Sequence, residues 1–68
     1  MNWDIVKGKW GQLKGEARKQ WGNLTDDDWD KLNGDREKLS GKLQESYGWA
    51  KQEAENHIDE FFRPRVQV

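Results

Sequence analysis

Apolar residues recur along the first third of the chain at intervals of three and four residues. These steps place their side chains on one face of an α-helix, with polar residues on the other. The pattern therefore predicts an amphipathic first helix from Trp3 to Trp21. Its apolar face consists of Trp3, Val6, Trp10, Leu13, Ala17 and Trp21.

The start of a second helix has the clearest local signal in the sequence. Thr25 is a favourable N-cap, because its hydroxyl can accept a hydrogen bond from a free backbone N–H of the first turn. Three aspartates follow at residues 26–28, where the positive end of the helix dipole favours negative charge. We predict a short helix that continues to about Leu32 and ends at Asn33 and Gly34.

Two further helices follow in the second half of the chain. Leu39, Leu43 and Tyr47 lie four residues apart and predict the apolar face of a third helix, with Asp35 as its N-cap and Gly48 at its end. A fourth helix is predicted over residues 50–62. Its inward residues are Ala54, Ile58, Phe61 and Phe62.

The fourth helix has a weak start signal and a strong stop signal. Ala50 is a poor N-cap, because it has no side-chain oxygen. Pro64 stops the helix, since the residue before a proline is disfavoured in helical conformation. We assign residues 1–64 to one helical domain and expect residues 65–68 to form a frayed C-terminal tail. No strand-like alternation bounded by turn residues interrupts the pattern.

The chain nearly repeats itself with an offset of 26 residues. An internal period in so short a chain predicts two copies of one supersecondary unit. We therefore predict an all-α fold of four helices in two hairpins joined near Asn33 and Gly34, with Gly22 and Gly48 ending helices at positive φ. The matching segments are Leu13-x-Gly15-x-Ala17-x3-Trp21-Gly22 and Leu39-x-Gly41-x-Leu43-x3-Tyr47-Gly48.

The composition limits the core that such a fold can build. Only 32% of the 68 residues are hydrophobic, the mean hydropathy is −1.30 and there is no cysteine for a disulfide. The five tryptophans compensate, because each can bury roughly 150–250 Å². The predicted core is Val6, Trp10, Leu13, Trp21, Leu24, Trp29, Leu32, Leu39, Leu43, Tyr47, Ala54, Ile58 and Phe61.

The net charge of −1 is unevenly distributed. Residues 1–24 carry five basic and two acidic side chains, whereas residues 25–34 carry four aspartates against one lysine. One interpretation is that these solvated faces complement each other. The alternative is that Lys7, Lys14 and Arg18, on one flank of the first helix, contact an anionic partner such as nucleic acid or a membrane surface.

Two acidic patterns have some features of metal sites. In the first, Asp26, Asp28, Asp30 and Glu37 occupy positions 1, 3, 5 and 12 of a calcium-binding loop, but Lys31 stands where that loop requires glycine. Helix capping already explains the first-turn aspartates, so we predict no calcium site.

The second pattern is Glu53, His57 and Glu60, which share one helix face. His57 is the only histidine, and we interpret all three as ordinary exposed residues. We therefore predict no metal and no cofactor. The sequence pairs no nucleophile with a base and contains no phosphate-binding glycine motif, so we predict no enzymatic activity and no small-molecule substrate. The N-terminus lacks the pattern of a signal peptide, and no apolar run approaches a membrane span, which predicts a cytoplasmic location.

Three segments resemble the CsbD-like bacterial stress-response proteins, and the resemblance extends over about residues 3–60. It implies two roughly orthogonal α-hairpins from an approximate duplication, expression under general, osmotic or envelope stress, and no catalytic residues. Ala50 and the ending at residues 61–64 depart from the family pattern. The matching segments are Lys9-Trp10-x-Gln12-x-Lys14-Gly15, Trp21-Gly22-x-Leu24-Thr25-Asp26-Asp27-Asp28 and Gly41-Lys42-Leu43-Gln44-Glu45-x-Tyr47-Gly48.

The functional hypothesis is a non-enzymatic stress-response protein that acts as a soluble hydrophilic protectant and is monomeric. The hydrophilic composition, the seven glycines and the absence of cysteine favour it. The alternative is a small binding module that uses Lys7, Lys14 and Arg18 for nucleic acid or an anionic membrane. Salt-dependent binding would distinguish the second hypothesis from the first.

Overall fold

The computed structural model describes residues 3–66, and within this range the chain is all-helical without strands. This confirms the predicted all-α class. The predicted number of helices was wrong, because the described range contains five helices and four were expected. The orthogonal crossing of two hairpins stays a prediction. The helices are α1 (Trp3–Gly8), α2 (Trp10–Gln20), α3 (Asp26–Leu32), α4 (Arg36–Tyr47) and α5 (Lys51–Phe62).

The extra helix arises because the predicted first helix is interrupted at Lys9. The Lys9 amide donates to both Ile5 O at 3.0 Å and Val6 O at 3.2 Å, so the chain tightens locally into a 3₁₀-like turn. Gly8 immediately precedes the break, and glycine is a weak helix former. Val6 and Trp10 are nevertheless both buried, so the predicted apolar face continues across the interruption.

The predicted start of α3 is confirmed in detail. Thr25 is extended, with φ −83° and ψ 167°, and its hydroxyl accepts from the Asp28 amide at 3.2 Å. The Asp28 carboxylate accepts from the Thr25 amide at 3.1 Å in return. This reciprocal pair is a capping box, which satisfies two backbone donors that the helix itself cannot.

The ends of α4 and the start of α5 also follow the sequence prediction. Asp35 caps α4 by accepting from the Lys38 amide at 3.1 Å, and Gly48 ends it at φ 72°. Ala50 precedes α5 without a side-chain hydrogen bond, as expected of an alanine. Arg36 at the start of α4 reaches Asp59 late in α5 at 3.1 Å, so the two helices run antiparallel.

The core is built around aromatic rings. Trp29 is fully buried, and its ring centroid lies 5.9 Å from that of Trp10 and 6.1 Å from that of Trp21. The Trp10 indole N–H donates to the Trp29 carbonyl oxygen at 2.8 Å. Within residues 3–66, fifteen hydrophobic side chains are buried, and they are Val6, Trp10, Leu13, Ala17, Trp21, Leu24, Trp29, Leu32, Leu39, Leu43, Ala54, Ile58, Phe61, Phe62 and Val66.

Twelve of the thirteen predicted core residues are thus buried, and Tyr47 is the exception. Tyr47 is half-buried and stacks on Trp49, with centroids 4.7 Å apart and ring planes within 15°. Its hydroxyl accepts from the Asn23 amide at 3.4 Å in an exposed position. A phenol can remain at the edge of a core in this way, because its ring is apolar while its hydroxyl needs a polar partner.

The C-terminal segment does not fray at Arg65 and Val66, contrary to expectation. Val66 is only 2% exposed, and its amide donates to Phe62 O at 2.7 Å. The Arg65 guanidinium lies 3.9 Å from the Phe61 ring centroid, and its Nε is 3.5 Å from Glu16 Oε2 on α2. Residues 67 and 68 lie outside the described residues, and the boundary proposed at residue 64 stays a prediction.

Positive φ is found at two glycines of the described chain, Gly34 and Gly48, and not at Gly22. The prediction was therefore right for Gly48 and wrong for Gly22, because α2 ends instead at Trp21, with φ −125° and ψ 75°. Gly34 has a second constraint. A Cβ added to it would lie 2.7 Å from the Lys7 Cα, so the joint between the two halves packs directly against α1.

We expect these three glycines to respond differently to alanine. Gly48→Ala should lower the free energy of unfolding by about 1 kcal/mol, because only the φ angle is unfavourable. Gly34→Ala should cost more, since it adds a backbone clash to the same strain. Gly22→Ala is the matched control and should stay within about 0.5 kcal/mol of the parent. Urea denaturation measures all three, and equal effects at Gly22 and Gly34 would contradict this order.

A second prediction concerns the capping box. Thr25→Ala should lower the free energy of unfolding by about 1 kcal/mol, because the Asp28 amide loses its acceptor. Thr25→Ser keeps the hydroxyl and should retain most of the stability. Thermal melts followed by circular dichroism test this. A Thr25→Ala variant as stable as the parent would show that the cap contributes nothing.

Candidate functional site

Two of the three basic residues predicted as a contact surface pair with carboxylates of α3. Lys14 Nζ lies 2.5 Å from Asp30 Oδ1, and Arg18 Nε lies 2.6 Å from Asp26 Oδ1. These ion pairs connect α2 to α3. The interpretation that the basic and acidic faces complement each other therefore holds at both positions.

Lys7, the third residue of the predicted contact surface, lies on α1. Its side chain is exposed and its backbone packs against Gly34. The structure thus brings Lys14 and Arg18 together beside α3 and leaves Lys7 on the preceding helix. Contact of these three residues with an anionic partner stays a prediction.

The aspartates of the calcium-loop pattern have helical roles. Residues 26–32 form α3, so the backbone cannot wrap around an ion. Asp26 and Asp30 pair with bases of α2, whereas Asp28 caps α3 and lies 3.5 Å from Lys42 Nζ. Among residues 3–66 the structure gathers no group of three or more His, Cys, Asp or Glu side chains able to hold a metal ion.

His57 has a ring partner that was not predicted from the sequence. Its imidazole stacks on Trp49, with centroids 4.0 Å apart and planes within 7°. Because Tyr47 also stacks on Trp49, the three rings form an aromatic cluster at the α4–α5 connection. Glu53 and Glu60 are exposed, as expected, whereas His57 is half-buried, so the expectation of an exposed side chain was wrong for His57.

The pKa of the Asp28 carboxylate, in the first turn of α3, is shifted from its ordinary value. Its pKa is lowered below the ordinary value of 3.8, first by the hydrogen bond from the Thr25 backbone and then by the Thr25 hydroxyl and the Lys42 charge. Both hydrogen bonds and the nearby cation favour the ionised carboxylate. The perturbation therefore follows from helix capping.

A hollow of about 460 Å³ between α4 and α5 was not predicted from the sequence. Arg36, Ser40 and Gly41 line it from α4, and Lys51 and Glu55 line it from α5. Gly41 was the signal available in the sequence, because a glycine in a helix interior is unfavourable relative to alanine. The relative placement of the two helices could not be derived from spacing alone.

The structure defines a small helical protein with a tryptophan-rich core and with charged side chains paired between helices. Within residues 3–66 no helix combines the length and apolarity that a membrane span requires. The CsbD-like family model matches residues 4–56 of the chain.

Curated relatives agree with this match. UPF0337 protein PA4738 of Pseudomonas aeruginosa is 52% identical over 61 residues, covering 90% of this chain and 94% of the relative. UPF0337 protein XAC4007 of Xanthomonas axonopodis pv. citri is 52% identical over 61 residues, covering 90% and 88%. UPF0337 protein YjbJ of Escherichia coli O6:H1 is 49% identical over 59 residues, covering 87% and 86%. No solved structure matches the chain.

The chain therefore belongs to the CsbD-like family, a family of general stress-response proteins with bacterial members. This confirms the resemblance stated from the three sequence segments.

The Asp28 titration predicts a pH dependence of stability. A carboxylate with a depressed folded-state pKa stabilises the fold fully above its unfolded value, here near 3.8, and loses this contribution as the pH falls through the folded value. The difference in unfolding free energy between the parent and Asp28→Asn should therefore shrink as the pH falls below this unfolded value near 3.8.

Urea denaturation between neutral and acidic pH measures this difference. Asp27→Asn is the matched control, because Asp27 lies in the same helical turn and has no role in the capping box. The difference in unfolding free energy between Asp27→Asn and the parent should be smaller, and it should change less over the same pH range. A difference for Asp28→Asn that stayed constant with pH would assign the effect to side-chain shape instead of charge.

Proposed function

We propose that this protein is a non-enzymatic stress protein of the bacterial cytoplasm that acts as a soluble hydrophilic protectant. The observation that carries the proposal is the mutual pairing of surface charges between helices, in a chain with 12 basic and 13 acidic residues. Such a surface holds much water and attracts no partner of one charge sign strongly. Membership in a stress-response family supports the same interpretation.

The pairing of Lys14 and Arg18 weakens the case for a nucleic-acid or membrane-binding module. A phosphate would have to displace Asp30 and Asp26 from cations that they already contact. Neutralised bases release fewer counterions from a polyanion, and counterion release supplies most of non-specific nucleic-acid affinity. A protectant needs no such free cations.

The catalytic alternative is weakened by the contacts of the candidate groups. His57 is stacked against Trp49, and Asp28 is held in a capping box. Each has a structural role that explains its position. A general acid or base must itself lie within hydrogen-bond reach of the group whose proton it transfers.

A charge-swap variant separates the protectant from the binding module. Reversing Lys14 and Arg18 alone would set like charges against Asp30 and Asp26 and loosen α3. The swap Lys14→Asp with Asp30→Lys, and Arg18→Asp with Asp26→Arg, retains opposite charges at both pairs and the net charge of −1. We expect it to protect a dried or frozen test enzyme as well as the parent does.

Two controls make the result interpretable. Circular dichroism and a thermal melt establish that the swapped variant is folded, and an unrelated folded protein at equal mass concentration sets the baseline of non-specific protection. Protection should also be insensitive to salt. A folded swap variant with lost protection, or protection that falls steeply with salt, would reject the protectant and favour a contact surface on α2.

A further inference from the structure

The joint between the two halves of the chain contains an asparagine followed directly by a glycine, Asn33 and Gly34. In such a pair the backbone nitrogen of the glycine can attack the side-chain amide carbon of the asparagine, because glycine has no Cβ to obstruct the approach. The other three asparagines precede a tryptophan, a leucine and a histidine, whose side chains hinder the same attack. The joint is therefore the asparagine position of this chain that is most prone to the reaction.

The reaction is an intramolecular substitution that needs only water. The Gly34 nitrogen gives its proton to water or hydroxide and forms a bond to Asn33 Cγ, the Cγ–Nδ2 bond breaks, and ammonia leaves after taking a proton from water. The product is a cyclic succinimide. Water then opens the ring at Cγ to give aspartate, or at the main-chain carbonyl carbon to give isoaspartate, whose backbone runs through Cβ and Cγ of residue 33.

The folded backbone holds the joint in a geometry that prevents this attack. Asn33 ends α3 in the left-handed conformation, at φ 49° and ψ 35°. At this ψ the Gly34 nitrogen lies almost opposite Cβ across the Cα–C bond of Asn33, whereas ring closure requires these two atoms to be nearly eclipsed. Asn33 is exposed but Gly34 is buried, so burial also keeps hydroxide from the attacking nitrogen.

Rotation of Asn33 into the reactive geometry requires the joint to open. The turn after α3 is closed by the Asp35 amide, which donates to Leu32 O at 2.9 Å. Gly34 also packs so closely against α1 that an added Cβ would lie 2.7 Å from the Lys7 Cα. Turning ψ of Asn33 would swing α4 away from α3, and buried side chains of both helices belong to the same core. The reaction is therefore confined to molecules that have lost this packing.

We propose that Asn33 is a covalent modification site that folding suppresses and unfolding releases. A molecule that unfolds is converted at its joint to aspartate or isoaspartate. Isoaspartate inserts an extra backbone carbon where even a Cβ on Gly34 has no room, so a chain modified in this way cannot re-form the native joint. The modification is separate from the protectant proposal, because it concerns the unfolding of this protein and not what its surface protects.

The first experiment compares the reaction in the folded and the unfolded full chain. The parent is incubated in mildly alkaline buffer with and without guanidinium chloride. Mass spectrometry quantifies the conversion of each asparagine, and enzymatic methylation of the isoaspartyl carboxylate detects isoaspartate. We expect Asn33 to react at least about tenfold more slowly in the folded parent than in the unfolded chain. Asn33→Gly retains the positive φ without the amide and should acquire no isoaspartate.

A stability variant outside the joint separates the effect of folding from that of the local sequence. Thr25→Ala removes the cap of α3 but leaves Asn33 and Gly34 unchanged. In buffer it should react about fivefold faster than the parent, because a larger fraction of its molecules is unfolded. Thr25→Ser is the matched control and should react at nearly the parent rate. In guanidinium chloride all three chains should react equally fast.

The modified chain itself tests the consequence for the fold. Each conversion adds one negative charge to the net charge of −1, so ion exchange separates the products. The isoaspartate fraction should melt at a lower temperature than the parent. Asn33→Asp has the charge without the extra carbon, and aspartate can adopt the left-handed conformation, so this variant should melt near the parent.

Four outcomes would overturn the proposal. Equal rates in buffer and in guanidinium chloride would show that the fold does not suppress the reaction, and an unreacted Asn33 in the unfolded chain would show that it is not a modification site. A Thr25→Ala variant that is less stable but reacts no faster than the parent in buffer would separate the reaction from unfolding. An isoaspartate fraction that melts as the parent does would show that the joint accommodates the extra carbon.

Discussion

The fold depends on the burial of Trp29. Its ring packs against those of Trp10 and Trp21, and its carbonyl oxygen accepts the Trp10 indole N–H at 2.8 Å. A chain with 32% hydrophobic residues has few other ways to collect apolar area, and each aromatic ring supplies much of it at one position. Because Trp29 belongs to the seven-residue α3, this short helix must be held firmly. The Thr25 capping box and the ion pairs to α2 both hold it.

The glycines of α2 weaken one of the helices against which α3 packs. Gly11 lies in the first turn of α2 and Gly15 in its interior. A Cβ on either would meet nothing within 4 Å, so neither is required by a contact within the described chain. Gly15 weakens the helix by about 1 kcal/mol relative to alanine. The ion pairs of Lys14 and Arg18 with α3 and the burial of the opposite face must therefore hold α2 in place. Exposed pairs contribute little individually, so the tryptophan core supplies most of the stabilisation.

Local chemistry made some features predictable from the sequence and not others. The ends of helices at Thr25 and Gly48 follow from the preferences of single residues, and both are confirmed. The burial of Val66 is different, because it depends on where distant helices lie. The hollow between α4 and α5 is the extreme case, because no spacing rule gives the relative placement of the two helices that line it.

The internal repeat accounts for a hollow beside an equivalent glycine in each half of the described chain. Gly15 and Gly41 are equivalent in the repeat, and each lines a hollow beside its helix. In the first repeat the hollow is about 210 Å³ and is bordered by the closed pairs Lys14–Asp30 and Arg18–Asp26. In the second it is about 460 Å³ and is bordered by the Arg36–Glu55 pair. Both copies thus keep a glycine-lined hollow beside charged side chains, but the ion pairs that border it join α2 to α3 in the first copy and α4 to α5 in the second.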